Sequence, residues 1–471
     1  MAVARRLLPA LLGTALLSVL VALVYGRGRL LNYDTSYSLL WGSELARGQI
    51  PDITVPFAPT QHPLATLLGA LLTLPGTGPV PHGGAATAAW ELLAIIFLGA
   101  LGYLTFALGR HWFGAGAGAV AAAILLTREP VLSYGIRAYI DIPYICLLLG
   151  ALLVESRRAR AGRPVLALLA LAGLLRPEAW LFSFIYLIWL WHGGALRREH
   201  LLWAACAPLL WAASDLIQTG NPIYSFTATQ SNAEELGRVT GITNVPATLP
   251  RRLGEILRVP GLLAAAGGGL LALYWLRERT RFLAAAGVLA VLAFVVLAAT
   301  GLPILTRYLL GPAAILAIFA GAAICGWSRL LPADRRRRPW QAFAVLCVLA
   351  FAVLGPNQWQ RLTGTRHALV TQRAILTELR TLAPLAGSGC PVSVPNRRPV
   401  PQLALWTGRP AASIRSAQAD RRYTLPAFSP ASPQIAKQFI LNRSDATMYL
   451  PPPPTGSPQV RGRWWTLTGR C

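Results

Sequence analysis

The chain has 471 residues, of which 54% are hydrophobic and only 13% are charged, and its mean hydropathy is +0.49. These values exclude an ordinary soluble domain and predict a polytopic membrane protein that resides in a lipid bilayer. A formal net charge of +25 would suggest a nucleic-acid partner in a soluble chain. Because the arginines here mostly flank apolar spans, as membrane topology requires, no nucleic-acid partner is expected.

The first apolar segment, Leu7 to Tyr25, follows the basic pair Arg5-Arg6. It is longer than the apolar region of a signal peptide, and no clear small-residue cleavage site follows it. We therefore expect a retained first span in the cytoplasmic membrane. Its positive flank predicts a cytoplasmic N-terminus, so the next connection is expected outside.

That connection is unusually long and polar, and we expect the outer loop 26–84 to be a working surface. In its first half, Tyr33, Tyr37 and Trp41 recur at helical spacing, which predicts a short helix lying in the membrane interface with its aromatic face down. Asp34 stands at the start of this helix. It is either an N-cap or a catalytic carboxylate. Pro63 to Leu74 is too short to cross and predicts a second interfacial or re-entrant piece.

Ten further apolar segments bring the predicted crossings to eleven. They run over 85–109, 112–127, 141–154, 164–175, 179–191, 201–217, 260–276, 282–300, 303–326 and 341–355. With this number, nearly every short basic cluster falls in alternate connections, which supports the assigned orientation.

The opposite side then collects a different set of residues, many of them ionisable. It comprises Tyr33, Asp34, Tyr37, His62, Arg137, Asp141, Arg176, Glu178 and Arg307, together with the long loop 218–258. Ionisable groups at membrane depth are costly unless they face a cavity or a partner, so these are candidate functional residues.

Several members of this set also allow structural explanations. Arg176-Pro177-Glu178 predicts the ionic tip of a helical hairpin, with one long helix over 164–191 as the rival, and its two charges could simply pair. Asp141 could cap the following helix or pair with Arg137 four residues earlier. Arg307 is either an interface anchor or a phosphate ligand.

From residue 356 the composition changes, and we expect a small extracytoplasmic α/β domain over 356–471. The pattern predicts a helix that ends at Pro384 and strands over 392–394 and 403–406. Cys390 and Cys471 are predicted to form a disulfide in this oxidising compartment. No Cys/His spacing suggests a metal site, no organic cofactor is indicated, and a divalent-metal requirement stays open.

The first 325 residues resemble the GT-C-type integral membrane glycosyltransferases, a group that includes protein O-mannosyltransferases and lipid A aminoarabinose transferases. The resemblance rests on the acid after the first span and on the segments Leu45-Ala46-Arg47-Gly48, Gln61-His62-Pro63-Leu64, Arg137 to Pro143, and Leu175 to Trp180. It implies a transmembrane catalytic domain over 1–355. It also implies sugar transfer from a polyprenyl-phosphate donor to an extracytoplasmic glycan, lipid or protein, with Asp34 at the position of the catalytic carboxylate.

The residue types fit that chemistry independently. Displacing phosphate from an anomeric carbon needs a carboxylate to take the acceptor proton, and Asp34 is the first choice. The leaving phosphate needs guanidinium donors, for which Arg137, Arg176 and Arg307 are unranked candidates. The alternatives are a transporter or flippase of lipid-linked saccharides, a polysaccharide polymerase or ligase, and a scaffold without catalysis.

Overall fold

A computed structural model of the protein describes residues 2–74, 84–387, 389–435 and 451–471. Helices dominate, as the hydropathy pattern predicts. In chain order up to residue 382 they are α1 (Ala2–Tyr25), α2 (Tyr33–Ala46), α3 (Pro63–Leu72), α4 (Gly84–Phe113), α5 (Ala115–Leu126), α6 (Glu129–Ile136), α7 (Asp141–Arg157), α8 (Arg163–Leu175), α9 (Glu178–His192), α10 (Arg198–Thr219), α11 (Tyr224–Glu235), α12 (Val245–Trp275), α13 (Arg277–Ala299), α14 (Leu310–Cys325) and α15 (Arg337–Leu382).

Seven helices of the described residues are long and apolar enough to cross a membrane, and the bent pair α5 and α6 could supply an eighth. The chain is a multi-pass membrane protein. The other three predicted crossings coincide with α7, α8 and α9, which have 17, 13 and 15 residues. Because these helices are short, the total of eleven stays a prediction.

The basic connections lie together at one end of the helices. Arg279 donates to the carbonyl of His111 over 3.3 Å, and Arg329 donates to the carbonyl of Arg110 over 3.1 Å. Three connections that are far apart in the chain therefore meet at one end, which agrees with a common side for these charges. The assignment of that side to the cytoplasm remains an expectation.

The hairpin predicted between residues 164 and 191 is present. Helix α8 ends at Leu175 and α9 begins at Glu178, so the rival of one long helix is wrong. Pro177 explains the break, since its ring disfavours helical backbone at Arg176, which is extended with φ −152° and ψ 129°.

Helix α2 differs from its prediction. Its residues from Thr35 to Ser43 are buried, and its aromatic face packs on the C-terminal domain rather than lying in a membrane interface. Its other neighbour is α3, where a Cβ on Gly42 would lie 2.4 Å from the backbone nitrogen of Ala70. Only glycine permits this close crossing of the two helices.

The C-terminal domain grows directly from α15. This helix has 46 residues, about 69 Å at 1.5 Å per residue. The predicted last span and the predicted outer helix are thus one continuous element, and the boundary expected at residue 356 falls inside it.

Beyond α15 lie α16 (Val400–Thr407), α17 (Ala417–Asp420), α18 (Pro433–Ile435) and five strands, β1 (Val392–Val394), β2 (Ile414–Ser416), β3 (Ala427–Pro430), β4 (Pro458–Arg461) and β5 (Trp465–Thr468). They form one sheet in the order β2-β1-β3-β5-β4. The strand predicted over 392–394 is confirmed, whereas that over 403–406 is wrong, because these residues belong to α16. Cys390 and Cys471 are joined by a disulfide.

Candidate functional site

A cavity of about 960 Å³ collects segments that are distant in the chain. Its walls come from the loop and start of α2, the start of α3, the connection between α6 and α7, the tip of the α8–α9 hairpin, α10 to α12, the turn Thr306–Leu309 and the C-terminal domain. Seven of the predicted site residues line this one space, namely Tyr33, Asp34, His62, Arg137, Arg176, Glu178 and Arg307.

Asp34 faces the cavity because another residue caps its helix. The side chain of Asn32 accepts from the backbone N–H groups of Asp34 and Thr35 at 2.7 and 3.2 Å, so the N-cap explanation of Asp34 is wrong. Asn32 also donates to the carbonyl of Arg137 over 3.0 Å. The start of α2 is therefore docked on the α6–α7 connection, and the Asp34 carboxylate is left for other partners.

That carboxylate pairs with Arg307. Nη1 of Arg307 lies 2.5 Å from Oδ2 of Asp34, and the two side chains are 18% and 15% exposed. Burial alone would raise the pKa of Asp34, but the charge and hydrogen bond of Arg307 outweigh it and hold this pKa below its usual range. Asp34 is consequently ionised at neutral pH.

His62 is neutral in the same environment. Burial lowers its pKa to about 3, against the opposing effect of Asp34 and with help from Arg176 and Arg307. Its ring lies edge-on to Trp211 with centroids 6.0 Å apart, and its Nδ1 is buried without a hydrogen-bond partner among the described residues. His62 can thus offer a neutral donor or acceptor to a ligand.

Arg176 lies between two carboxylates. It pairs with Asp141 and, over 2.5 Å, with Glu178, and its guanidinium stacks on Tyr308 at 4.1 Å from the ring centroid. The Arg176–Glu178 pair expected at the hairpin tip is therefore present, although Asp141 joins it from another helix. One oxygen of each carboxylate is buried without a hydrogen bond in the described part of the chain.

The predicted pair between Arg137 and Asp141 is wrong. Ala138 has a φ of 57°, which breaks helical geometry between the two residues and separates their faces. Arg137 instead lines the cavity, where its Nε is buried and finds no hydrogen-bond partner among the residues described. Nε of Arg307 is in the same condition.

Two predicted residues do not reach the cavity. Tyr37 is fully buried in the apolar cluster shared by α2 and the C-terminal domain, and Asp141 is 1% exposed behind Arg176. Several lining residues were not singled out from the sequence, namely Tyr139, Trp211, Arg397, Arg398 and Gln402. Arg252, Glu255 and Arg258 also line the cavity and belong to the loop 218–258, which was expected on this side. The basic pair Arg397-Arg398, which two residues separate from the strand at 392–394, was the available sequence signal for the C-terminal members.

No group of three or more His, Cys, Asp or Glu side chains in the described ranges is arranged to hold a metal ion. The chemistry this arrangement offers is that of one ionised carboxylate beside guanidinium groups with unused donors. Such a site suits a reaction in which a proton is taken and a phosphate departs.

Comparison with solved structures identifies the architecture. The crystal structure of ArnT from Cupriavidus metallidurans bound to undecaprenyl phosphate aligns over 97% of both chains, with a TM-score of 0.56 and 14% identity. The apo structure of the same enzyme aligns over 96% of this chain and 97% of that one, with a TM-score of 0.53 and 16% identity. This chain has a GT-C fold.

The arabinofuranosyltransferase AftD from Mycobacteria aligns with a TM-score of 0.48 and 19% identity, over 83% of this chain and 30% of that one. No protein-family model and no curated protein matches the sequence. The similarity to ArnT confirms the GT-C resemblance that the sequence motifs predicted.

Proposed function

We propose that this protein transfers a sugar from a polyprenyl-phosphate donor to an extracytoplasmic acceptor, with Asp34 as the general base. The observation that carries the proposal is the Asp34–Arg307 pair in a cavity that Arg137 also lines. The fold shared with ArnT, which was crystallised with undecaprenyl phosphate, supports the choice of donor.

Asp34 supplies the base. As the bond between the anomeric carbon and the phosphate oxygen breaks, the acceptor hydroxyl attacks that carbon and its proton passes to a carboxylate oxygen. The Asp34 carboxylate is ionised, so it can accept the proton. The electron pair of the broken bond leaves with the polyprenyl phosphate.

Arg137 and Arg307 hold the phosphate. Each has a buried Nε without a partner among the described residues, so each has donors to offer an anion. Arg176 is a poorer choice, because two carboxylates already surround it and make its neighbourhood net negative. The distribution of hydrogen bonds thereby ranks three arginines that sequence alone left unranked.

His62 and Glu178 orient the sugar. The unpartnered Nδ1 of His62 and Oε2 of Glu178 belong to residues that line the cavity, and both suit sugar hydroxyl groups. Tyr33 contributes an aromatic wall beside Asp34. Asp141 acts only through Arg176, and Tyr37 has a packing role.

The basic ends of the helices support the proposed location. Arg110, Arg279 and Arg329 meet at one end of the helices and line no part of the cavity. The charge rule favours a cytoplasmic location for that basic end. The cavity then opens on the outer side of the cytoplasmic membrane, where the acceptor resides.

Mass spectrometry of envelope glycans from a strain that lacks this gene provides the test. We expect a mass loss that corresponds to one sugar, restored by the parental gene and by Asp52→Asn. Asp52 lies in the same outer loop, is exposed and lines no part of the cavity. Asp34→Asn, expressed to the same level, should leave the sugar missing. A complete restoration by Asp34→Asn would contradict the mechanism.

A further inference from the structure

The C-terminal domain forms one wall of the cavity. Arg397, Arg398 and Gln402 come from the connection after β1 and from the first turn of α16, and all three line the same space as Asp34. The site is therefore assembled from both parts of the chain.

A shared apolar core holds this wall in place. Tyr37 and Trp41 of α2 belong to one buried cluster with Leu403 and Ala404 of α16. The indole nitrogen of Trp41 also donates to the carbonyl of Asp52 over 3.0 Å. Because α2 carries Asp34 at its start, the cluster couples the position of the base to that of the domain wall.

Arg397 lies directly against the aromatic residue next to the base. Its guanidinium lies 5.9 Å from the ring centroids of both Tyr33 and Phe57, and the residue is only 4% exposed. The hydroxyl of Tyr33 donates to the carbonyl of Phe57 over 2.5 Å, which fixes this aromatic pair. A buried guanidinium thus lies beside the ring of Tyr33, the residue that precedes Asp34 in the sequence.

The chemistry of this wall points to a ligand. The Oε1 atom of Gln402 is buried without a hydrogen-bond partner in the described structure, and the residue is 6% exposed. Around the whole cavity, the described lining holds eight arginines against four acidic residues. Asp141 and Glu129 lie outside the lining and pair with Arg176 and Arg258, so the lining arginines exceed these six carboxylates by two and the cavity has a net positive charge.

We infer that Arg397, Arg398 and Gln402 form the acceptor subsite, and that the acceptor is a saccharide bearing a phosphate or carboxylate group. The inference deepens the proposed function and rests on it for the role of acceptor. Guanidinium groups bind both anions through paired N–H donors. The Oε1 of Gln402 accepts from a hydroxyl of the same saccharide.

The test uses the full-length protein in nanodiscs. Glycan from the deletion strain is separated by anion exchange into acidic and neutral fractions, labelled, and titrated against the parental protein and the Arg397→Gln/Arg398→Gln variant. We expect the acidic fraction to bind the parental protein. The variant should bind it about tenfold more weakly or worse, because charge-assisted hydrogen bonds are lost.

Two matched variants control for structural damage. Arg415→Gln removes an exposed arginine from β2 of the same domain and should leave binding unchanged. Arg398→Lys keeps the charge and should retain part of the affinity. Binding of undecaprenyl phosphate should be equal in all these proteins, since the donor arginines are intact. Competition by inorganic phosphate or by glucuronate distinguishes the two anionic groups.

The outcomes separate this inference from the proposed function. Equal binding of the neutral fraction, or unchanged binding of the acidic fraction by the double variant, overturns the acceptor subsite. Binding of the acidic fraction that depends on the two arginines, in a protein that transfers no sugar, supports a binding subsite for an acidic saccharide and overturns both the proposed transfer and the acceptor role. Transfer of sugar from the donor to neutral glycan only supports the proposed function and overturns the acidic acceptor.

Discussion

Two groups of buried charged side chains lie beside one cavity, and they differ in the sign of their net charge. Arg176 pairs with both Asp141 and Glu178, so the Arg176 group has a net negative charge and its cation is already paired. Arg307 has Asp34 as its only ion-pair partner in the described residues, and Arg137 beside the same cavity has none, so this second group is net positive. The comparison is the basis for the two proposed roles: Arg176, between two carboxylates, is structural, whereas Arg137 and Arg307 are proposed to bind the donor phosphate.

The largest expected effect follows from removing the cation of the Arg176 group. Arg176→Gln leaves two buried carboxylates without their cation, which should lower the free energy of unfolding by about 3–5 kcal/mol. Thermal unfolding of the purified protein in detergent measures the change. A parental melting temperature in this variant would show that Arg176 does not hold the hairpin tip to α7.

Asp34→Asn should be the most damaging change for activity. Removal of a general base costs about 100- to 10,000-fold in rate, whereas the amide still fits beside Arg307. Sugar transfer by the purified protein, compared with Asp52→Asn, provides the measurement. Retention of the parental rate would remove Asp34 from the mechanism.

Arg137→Gln sharpens the contrast with Arg176. This guanidinium has no ion-pair partner in the described chain, so its loss should leave the melting temperature unchanged. Affinity for undecaprenyl phosphate should fall about 10- to 100-fold, the value of a charge-assisted hydrogen bond. A variant that loses stability but keeps its affinity would reverse the two roles.

The pH profile tests the Asp34–Arg307 pair. In the parental protein, kcat/KM should decrease on the acid side only below the usual aspartate pKa of about 3.9, because the pKa of Asp34 is lowered. Arg307→Gln removes the cation but not the burial, so the pKa must rise and this decrease must move to higher pH. Arg251→Gln, which changes an exposed arginine outside the cavity lining, should keep the parental profile.

The smallest effect is expected at Tyr37. Its ring packs 5.1 Å from that of Tyr33 within the buried cluster and lines no part of the cavity. Tyr37→Phe should therefore change both transfer and the free energy of unfolding little, by less than about 1 kcal/mol. Tyr33→Phe, which loses the hydrogen bond to Phe57, provides the comparison. A large loss of donor affinity in Tyr37→Phe would restore it as a binding residue.

The C-terminal domain shows which structural features sequence patterns can predict and which they cannot. The strand at 392–394 and the Cys390–Cys471 partners were predicted, because β-branched residues favour a strand locally and these two cysteines lie outside the apolar spans that hold the other four. Residues 403–406 were predicted as a strand and form a helix, since a four-residue apolar run carries no usable period. That Arg397 would face Tyr33 is decided by a shared core between segments more than 300 residues apart.

The sequence by itself determined that this is a multi-pass membrane protein, that the helices break at Arg176-Pro177, and which polar residues were candidates. Hydropathy, proline geometry and the cost of buried charge act locally, so they can be read from neighbouring residues. Only the tertiary structure decided the partners: Asn32 rather than Asp34 caps α2, Arg176 rather than Arg137 pairs with Asp141, and Arg307 pairs with Asp34. Coulomb interactions and hydrogen bonds depend on distance in space, and the packing of remote helices sets that distance.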